Sequence, residues 1–308
     1  MDNKVSIVIL NWNEPKITIR CIESCINLNY DNFDIIIVDN ASIDDSVNIL
    51  KSKFPGITLI QNNNNMGYAG GNNIGIDYAL TNNSDYIWIL NNDVIVEQNS
   101  LSYLMEFFKK NNDAYAVSPK VLEFPNMNII SYGGGFIDQN KFMSVNIGEG
   151  EEDAGQYDTT QEVSFMSGCS ILINRNAIKK IGAFPEDYFL YFEETEWCMN
   201  VAKNEGKMYY VPNAIVYHER SATTKKKKGT TGYYFARNKL FFMERNFDER
   251  NLFKFLSISF FDALSALNKF NLRLAYNITI AFLDWFLGNM GPIYSPRKIG
   301  LAIKRLNQ

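Results

Sequence analysis

Short, continuously apolar runs alternate with amphipathic stretches through the N-terminal third of the chain. Residues 5–10 are apolar apart from one serine and rich in β-branched side chains, as a strand buried on both faces requires. Pro15 suits the first turn of a helix, and Ile19, Ile22 and Ile26 recur behind it at helical spacing. Residues 35–38 read as a second strand, with a helix from about Asp44 and a third strand at 57–60. A polar, glycine-rich loop then opens a helix over residues 72–80, and residues 86–90 form a fourth strand. Strands separated by helices of about ten residues predict right-handed βαβ crossovers and a parallel sheet. Further on the pattern is less regular. Residues 131–135 and the acidic stretch 148–153 read as exposed loops, and residues 170–173 as a strand returning to the sheet.

Two of these strands end in the same way. The fourth runs into Asn91, Asn92 and Asp93, and the second into Asp39, Asn40, Ser42 and Asp44. In an open α/β sheet ligands bind at the carboxyl ends of strands, where a carboxylate can hold a divalent cation beside a phosphate. The plainer reading of Asp93 is a cap on a helix starting near Gln98. The stretch 61–75 offers glycines for close backbone approach and asparagines with both donors and acceptors; a tight turn with a helix cap explains it equally well. It holds neither a GxGxxG nor a Walker loop, which weakens dinucleotide and P-loop readings.

A third polar cluster, Glu193-Glu194-Thr195-Glu196-Trp197, places carboxylates side by side. Their mutual repulsion raises the pKa of at least one and suits it to accept a proton near neutrality. On a helix Glu193 and Glu196 share a face and Glu194 points elsewhere. The bland alternative is an acidic first turn favoured by the helix dipole. His218 is the single histidine, so two-histidine metal sites are excluded and acid–base work falls to carboxylates. No GxSxG elbow supports a serine hydrolase.

Charge divides the chain. Residues 1–219 carry 14 Lys/Arg against 29 Asp/Glu, and residues 220–308 carry 16 against 5, within an overall −4. An acidic body with a basic tail argues against a nucleic-acid partner, since no stacking motif accompanies the tail. The four cysteines form no CxxC pair, as expected of reduced thiols. The N-terminus enters a strand directly, which leaves no room for a signal peptide and predicts a cytoplasmic protein. The tail is rich in Phe, Leu, Ile and Tyr and follows four lysines, Lys225 to Lys228. Its uncharged runs are shorter than a spanning helix needs. Interfacial helices on an anionic membrane surface, at the inner face of the cell membrane, are one expectation. Helices that pack on the catalytic body, or that join a homodimer, are the other.

Several segments together resemble the family 2 glycosyltransferases, inverting enzymes of GT-A fold, and most of all their bacterial rhamnosyltransferase-like branch. In chain order they are residues 5–13, 38–44, 65–73, Leu90-Asn91-Asn92-Asp93, Gly182-Ala183-Phe184, residues 192–197, His218, and Tyr233 through Arg237-Asn238. The resemblance spans roughly residues 4–240. It implies an α/β class with a Rossmann-like, mostly parallel sheet flanked by helices in residues 1–220, and a helical C-terminal region in 221–308. It implies a nucleotide-diphospho-sugar donor, dTDP-rhamnose or a UDP-sugar. The acceptor would be a glycan hydroxyl in cell-surface polysaccharide synthesis, lipid-linked if the membrane reading holds. Donor-nucleotide contacts are expected at Asn11, Trp12, Asn13, Asp39, Ser42, Gly67, Asn72 and Asn92. Mg²⁺ or Mn²⁺ is expected at Asp93 and His218, acceptor or diphosphate contacts at Glu193, Trp197 and Arg237, and the general base at Glu194. The chain departs from the family at Asn91, where many members carry an Asp, and at Glu194, usually Asp. Two alternatives stand beside this reading. A catalytically silent sugar-nucleotide-binding protein would not need Glu194. A nucleotidyltransferase would want glycine and a basic residue after the first strand, where Asn11-Trp12-Asn13-Glu14-Pro15 has neither.

Overall fold

A computed structural model describes residues 2–219, 230–248 and 272–292. The chain runs β1 (Val5–Asn11), α1 (Pro15–Ile26), β2 (Phe33–Asp39), α2 (Ser46–Lys53), β3 (Thr58–Gln61), α3 (Gly67–Thr81), β4 (Tyr86–Asn91), β5 (Val94–Val96) and α4 (Ser100–Lys110). It continues with β6 (Ala114–Glu123), β7 (Ile130–Tyr132), β8 (Gly135–Asp138), β9 (Met143–Asn146), β10 (Gln161–Glu162), β11 (Ser170–Asn174), α5 (Arg175–Ile181), α6 (Glu193–Lys203) and β12 (Lys207–His218). Two further helices follow, α7 (Thr230–Asn246) and α8 (Leu272–Phe286).

The main sheet has the order β10-β12-β6-β11-β4-β1-β2-β3. Strands β3, β2, β1 and β4 are parallel, as their pattern predicts, whereas β11 inserts antiparallel between β4 and β6. The chain leaves β1 for β2 on one side and returns at β4 on the other. This is a topological switch point, where open α/β sheets form their ligand crevice at the strands' carboxyl ends. Register brings the polar ends together there: Asn11 lies opposite Asp39, and Leu10 opposite Asn91.

The glycine-rich stretch is mostly helix and not loop, because α3 already begins at Gly67. Gly67, Gly71 and Gly75 fall on one face. A Cβ at these positions would collide with the Phe189 carbonyl, Leu10 and Val8 respectively. Gly71 and Gly75 let α3 lie closer to β1 than side chains allow, Gly67 lets it meet the backbone at Phe189, and tertiary packing overrides helix propensity. Residues 131–135, expected as an exposed loop, are buried and largely strand. Tyr132 is in the core and donates a hydrogen bond to the Phe165 carbonyl (2.9 Å). The acidic stretch 148–153 is mostly exposed, as expected. Its loop is held by Asp153 and Asp158, which pair with the buried Lys120.

Lys225 to Lys228 and the aromatic stretch 251–271 lie outside the described residues. Among the described residues no helix is long and apolar enough to cross a membrane.

Candidate active site

The floor of the crevice is one hydrogen-bonded chain of side chains. Asn92 Nδ2 donates to Thr18 Oγ1 (3.0 Å), and Thr18 Oγ1 donates to Asn11 Oδ1 (2.6 Å). Asn11 Nδ2 donates to Asp39 Oδ2 (2.8 Å), which also accepts from Ser42 Oγ (2.6 Å). Asp39 Oδ1 takes the Ser42 amide (2.9 Å), and Ser42 Oγ takes the Asn13 amide (2.9 Å). Apart from Thr18, which reaches in from α1, the side chains of this network lie at or just beyond the ends of β1, β2 and β4, where the backbone ladder has run out and side chains must satisfy the remaining groups.

Beside this floor, β5 pairs with the end of β12 and sets His218 opposite Val94. His218 Nε2 lies 3.1 Å from Asp93 Oδ1, with the two side chains 17% and 13% exposed. Asp93 is therefore not a helix cap; α4 begins after Asn99.

Glu194 stands partly exposed in the first turn of α6. Burial raises its pKa to about 7, against backbone hydrogen bonds that lower it. Glu193 is more deeply buried, its Oε2 has no hydrogen-bond partner, and desolvation together with the Glu194 charge pushes its pKa well above the ordinary carboxylate range. Gly168 packs against Glu194, leaving room for its Cβ and Cγ, and the Tyr68 hydroxyl donates to the Gly168 carbonyl. Burial pushes the Tyr68 phenol up, and the charges of Glu193, Glu194 and Asp93 push it further. One hydroxyl is thus within electrostatic reach of both carboxylate groups of the site. The next residue, Cys169, accepts from the Asn91 amide (3.0 Å), so its backbone ties the Glu194 side of the crevice to the polar end of β4.

The sequence profile described as "Glycosyl transferase family 2" matches residues 6–182, more than half of the chain. The chain belongs to that family. Among similar proteins, the low-salt glycan biosynthesis hexosyltransferase Agl10 of Haloferax volcanii is 26% identical over 64% of this chain and 61% of its own length. The N-acetylglucosaminyl-diphospho-decaprenol L-rhamnosyltransferase of Mycobacterium tuberculosis is 24% identical over 62% of this chain and 67% of its own. The alignments thus span about two thirds of these relatives. Two solved structures share the GT-A fold. The mannosyltransferase PcManGT of Pyrobaculum calidifontis, in complex with GDP-Man and Mn²⁺, superposes with TM-score 0.58 at 12% identity, over 92% of this chain and 75% of that one. GalNAc-T7 with UDP, GalNAc and Mn²⁺ gives 0.58 at 17% identity, over 77% and 51%.

Within this family 2 glycosyltransferase domain the expected site residues separate into two groups. Asn11, Asn13, Ser42 and Asn92 belong to the crevice floor, Trp12 is half-buried next to Asn11 and Asn13, Asp93 and His218 pair with each other, and Glu194 is partly exposed at the start of α6. The others have different tasks. Asp39 is a link of the floor as well, but like Asn11 it is 0% exposed, and bonded through both oxygens it organises the floor from beneath and presents no surface to a base. Gly67 is a packing glycine at φ +74°. Asn72 is buried within α3, with Nδ2 on the Tyr68 carbonyl (3.0 Å). Trp197 is core: it is 1% exposed, its indole N–H donates to Gly182 O (3.0 Å), and Phe184 packs edge-on against it. Arg237 is 0% exposed and donates to the carbonyls of Tyr188 (3.0 Å) and Gly291 (2.7 Å), so it does not face a diphosphate. Tyr68 and Gly168 escaped the sequence reading. Tyr68 lay inside the glycine-rich stretch, and its one signal was a hydroxyl directly after the glycine that starts a helix.

Asp93 and His218 fit a divalent cation. Carboxylate oxygen and imidazole nitrogen are donors that Mn²⁺ accepts, and the pair is within reach of one ion. Among the described residues no cluster of three or more His, Cys, Asp or Glu could enclose a metal, so a cation here would keep positions open for substrate oxygens.

Proposed function

We propose that this protein is an inverting glycosyltransferase. It moves a sugar from dTDP-rhamnose or a UDP-sugar to an acceptor hydroxyl during assembly of a cell-surface polysaccharide or glycan. The observation that carries the reading is Glu194: partly exposed, with a pKa of about 7 imposed by burial, and facing the hydroxyl that also feels Asp93. A carboxyl group of that pKa accepts a proton near neutrality with far more driving force than an ordinary one. Glu194 takes the acceptor's proton as the acceptor oxygen bonds to the anomeric carbon. The bond from that carbon to the diphosphate oxygen breaks on the opposite face. One displacement inverts the centre and needs no enzyme nucleophile. A divalent cation held by Asp93 and His218 would supply positive charge to the leaving diphosphate. Trp12 flanks the base, above the floor that Asp39 organises.

The names of the relatives support rhamnose or another hexose as cargo and a lipid-linked diphosphate as acceptor. Peripheral attachment to the inner membrane face draws support from the basic tail and from Tyr276, Phe282 and Leu283, exposed on α8.

Glu194→Gln tests the reading. With dTDP-rhamnose and a UDP-sugar panel in Mn²⁺, the variant should keep donor affinity. It should lose about 10²–10⁴ in transfer rate, the usual worth of a general base. Turnover above about half of wild type would remove Glu194 from the role.

A further inference from the structure

Three of the four residues before α6 stand at positive φ: Phe189 at +65°, Tyr191 at +69° and Phe192 at +76°. Bulky aromatic residues rarely adopt this region. Such a backbone persists only where its surroundings over-determine it. Here the surroundings can be read atom by atom. The Tyr188 carbonyl accepts from the Leu190 amide (2.8 Å), Arg237 (3.0 Å) and Asn238 Nδ2 (2.9 Å). The Phe189 carbonyl accepts from the Tyr68 amide (2.7 Å). The carbonyls of Leu190 (2.7 Å) and Tyr191 (2.9 Å) both take Asn238 Nδ2. Arg237 Nε in turn donates to Asn238 Oδ1 (2.9 Å) and so orients the amide. Both side chains are fully buried and both sit on α7, far along the chain from the loop they hold.

We propose that Arg237 and Asn238 are positioning residues for Glu194. Through the carbonyls of residues 188–191 they fix an otherwise unfavourable turn, and that turn sets where α6 begins and where its second residue points. Their N–H groups are taken up by backbone carbonyls, by each other and by the Tyr233 hydroxyl, so they act on the base without touching substrate. The catalytic consequence rests on Glu194 being the base; the positioning itself does not.

The test reads Glu194 directly. In protein labelled with ¹³C at glutamate carboxyls, Glu194→Gln assigns the resonance, and its titration midpoint is followed in Asn238→Ala and in the milder Asn238→Ser. Glu193, Tyr68, Tyr191 and Cys198 are the titratable groups in electrostatic contact with Glu194, and none of them is altered. Leu240→Ala, a buried α7 change that touches none of the loop carbonyls, controls for lost stability. With the tether gone, water should reach Glu194. The midpoint should then fall from about 7 by about one pH unit or more in at least one Asn238 variant, while Leu240→Ala leaves it in place. An unchanged midpoint in a folded Asn238 variant overturns the proposal. So does an equal fall in Leu240→Ala, or failure of both Asn238 variants to fold while Leu240→Ala folds; each of these makes the pair ordinary core. Because titration needs no turnover, the result stands whether or not Glu194 proves to be the base.

Discussion

The strand-end side of the crevice, which we propose takes the donor, and the side that carries Glu194 are built by opposite means. On the donor side, β1, β2 and β4 end in register and each contributes a polar residue at its own terminus. Local sequence and regular backbone suffice. On the other side, Glu194 follows a turn of unfavourable φ angles, held from α3 by Tyr68 and from α7 by Arg237 and Asn238. The first arrangement is robust and readable; the second exists only while distant elements press on it. The setting of Glu194 depends on long-range contacts, and the polar floor depends on strand ends.

Gly67 joins the two sides, and changing it should break the comparison most severely. Gly67→Ala puts a methyl group into the Phe189 carbonyl at φ +74°. A loss of about 3 kcal/mol or more in urea unfolding is expected, combining strain with displacement of the turn; a loss below about 1 kcal/mol would show that the sides are independent. Asp39→Ala removes the acceptor for Asn11 and for Ser42 without opening the Glu194 side. It should cost about 1–3 kcal/mol, the usual penalty for orphaned buried donors. It should also weaken donor binding in calorimetry while leaving the Glu194 titration in place.

The smallest expected effect is a gain. Glu194 has a folded pKa of about 7 against an ordinary value of 4.5. Between those values the folded state holds a proton that the unfolded state has lost, so stability falls as pH rises through that window and then levels off. Glu194→Gln lacks this penalty. Above pH 7 it should exceed wild type by about 1–2 kcal/mol after allowance for solvent screening, and near pH 4 the two melting curves should converge. A variant less stable than wild type at pH 8 would show that the carboxylate is not desolvated.

The same contrast decides what was legible in the sequence. The places of Asn11, Asp39, Asp93 and Glu194 in the fold could be read because strand ends and an acidic helix start are local patterns. Trp197 and Arg237 belong to recognisable motifs, yet a motif does not say which way a side chain faces, and both turn inward. The start of α3 was misplaced because glycines signal loops by propensity. Their spacing of four carried the other meaning, a smooth helix face against β1. Residues 131–135 looked like a loop for the same reason, glycine content in a segment whose burial is set by partners elsewhere in the chain.

That glycine face also has a kinetic side. Four of the fifteen residues of α3 are glycine, and each costs a helix about 1 kcal/mol relative to alanine. Detached from the sheet, the segment has too little propensity to persist as helix. Its helical state therefore depends on docking against the sheet. Substitutions that loosen its docking should act mainly on the unfolding rate and little on the folding rate. The lifetime of the folded crevice should then track how seldom this one helix lifts away.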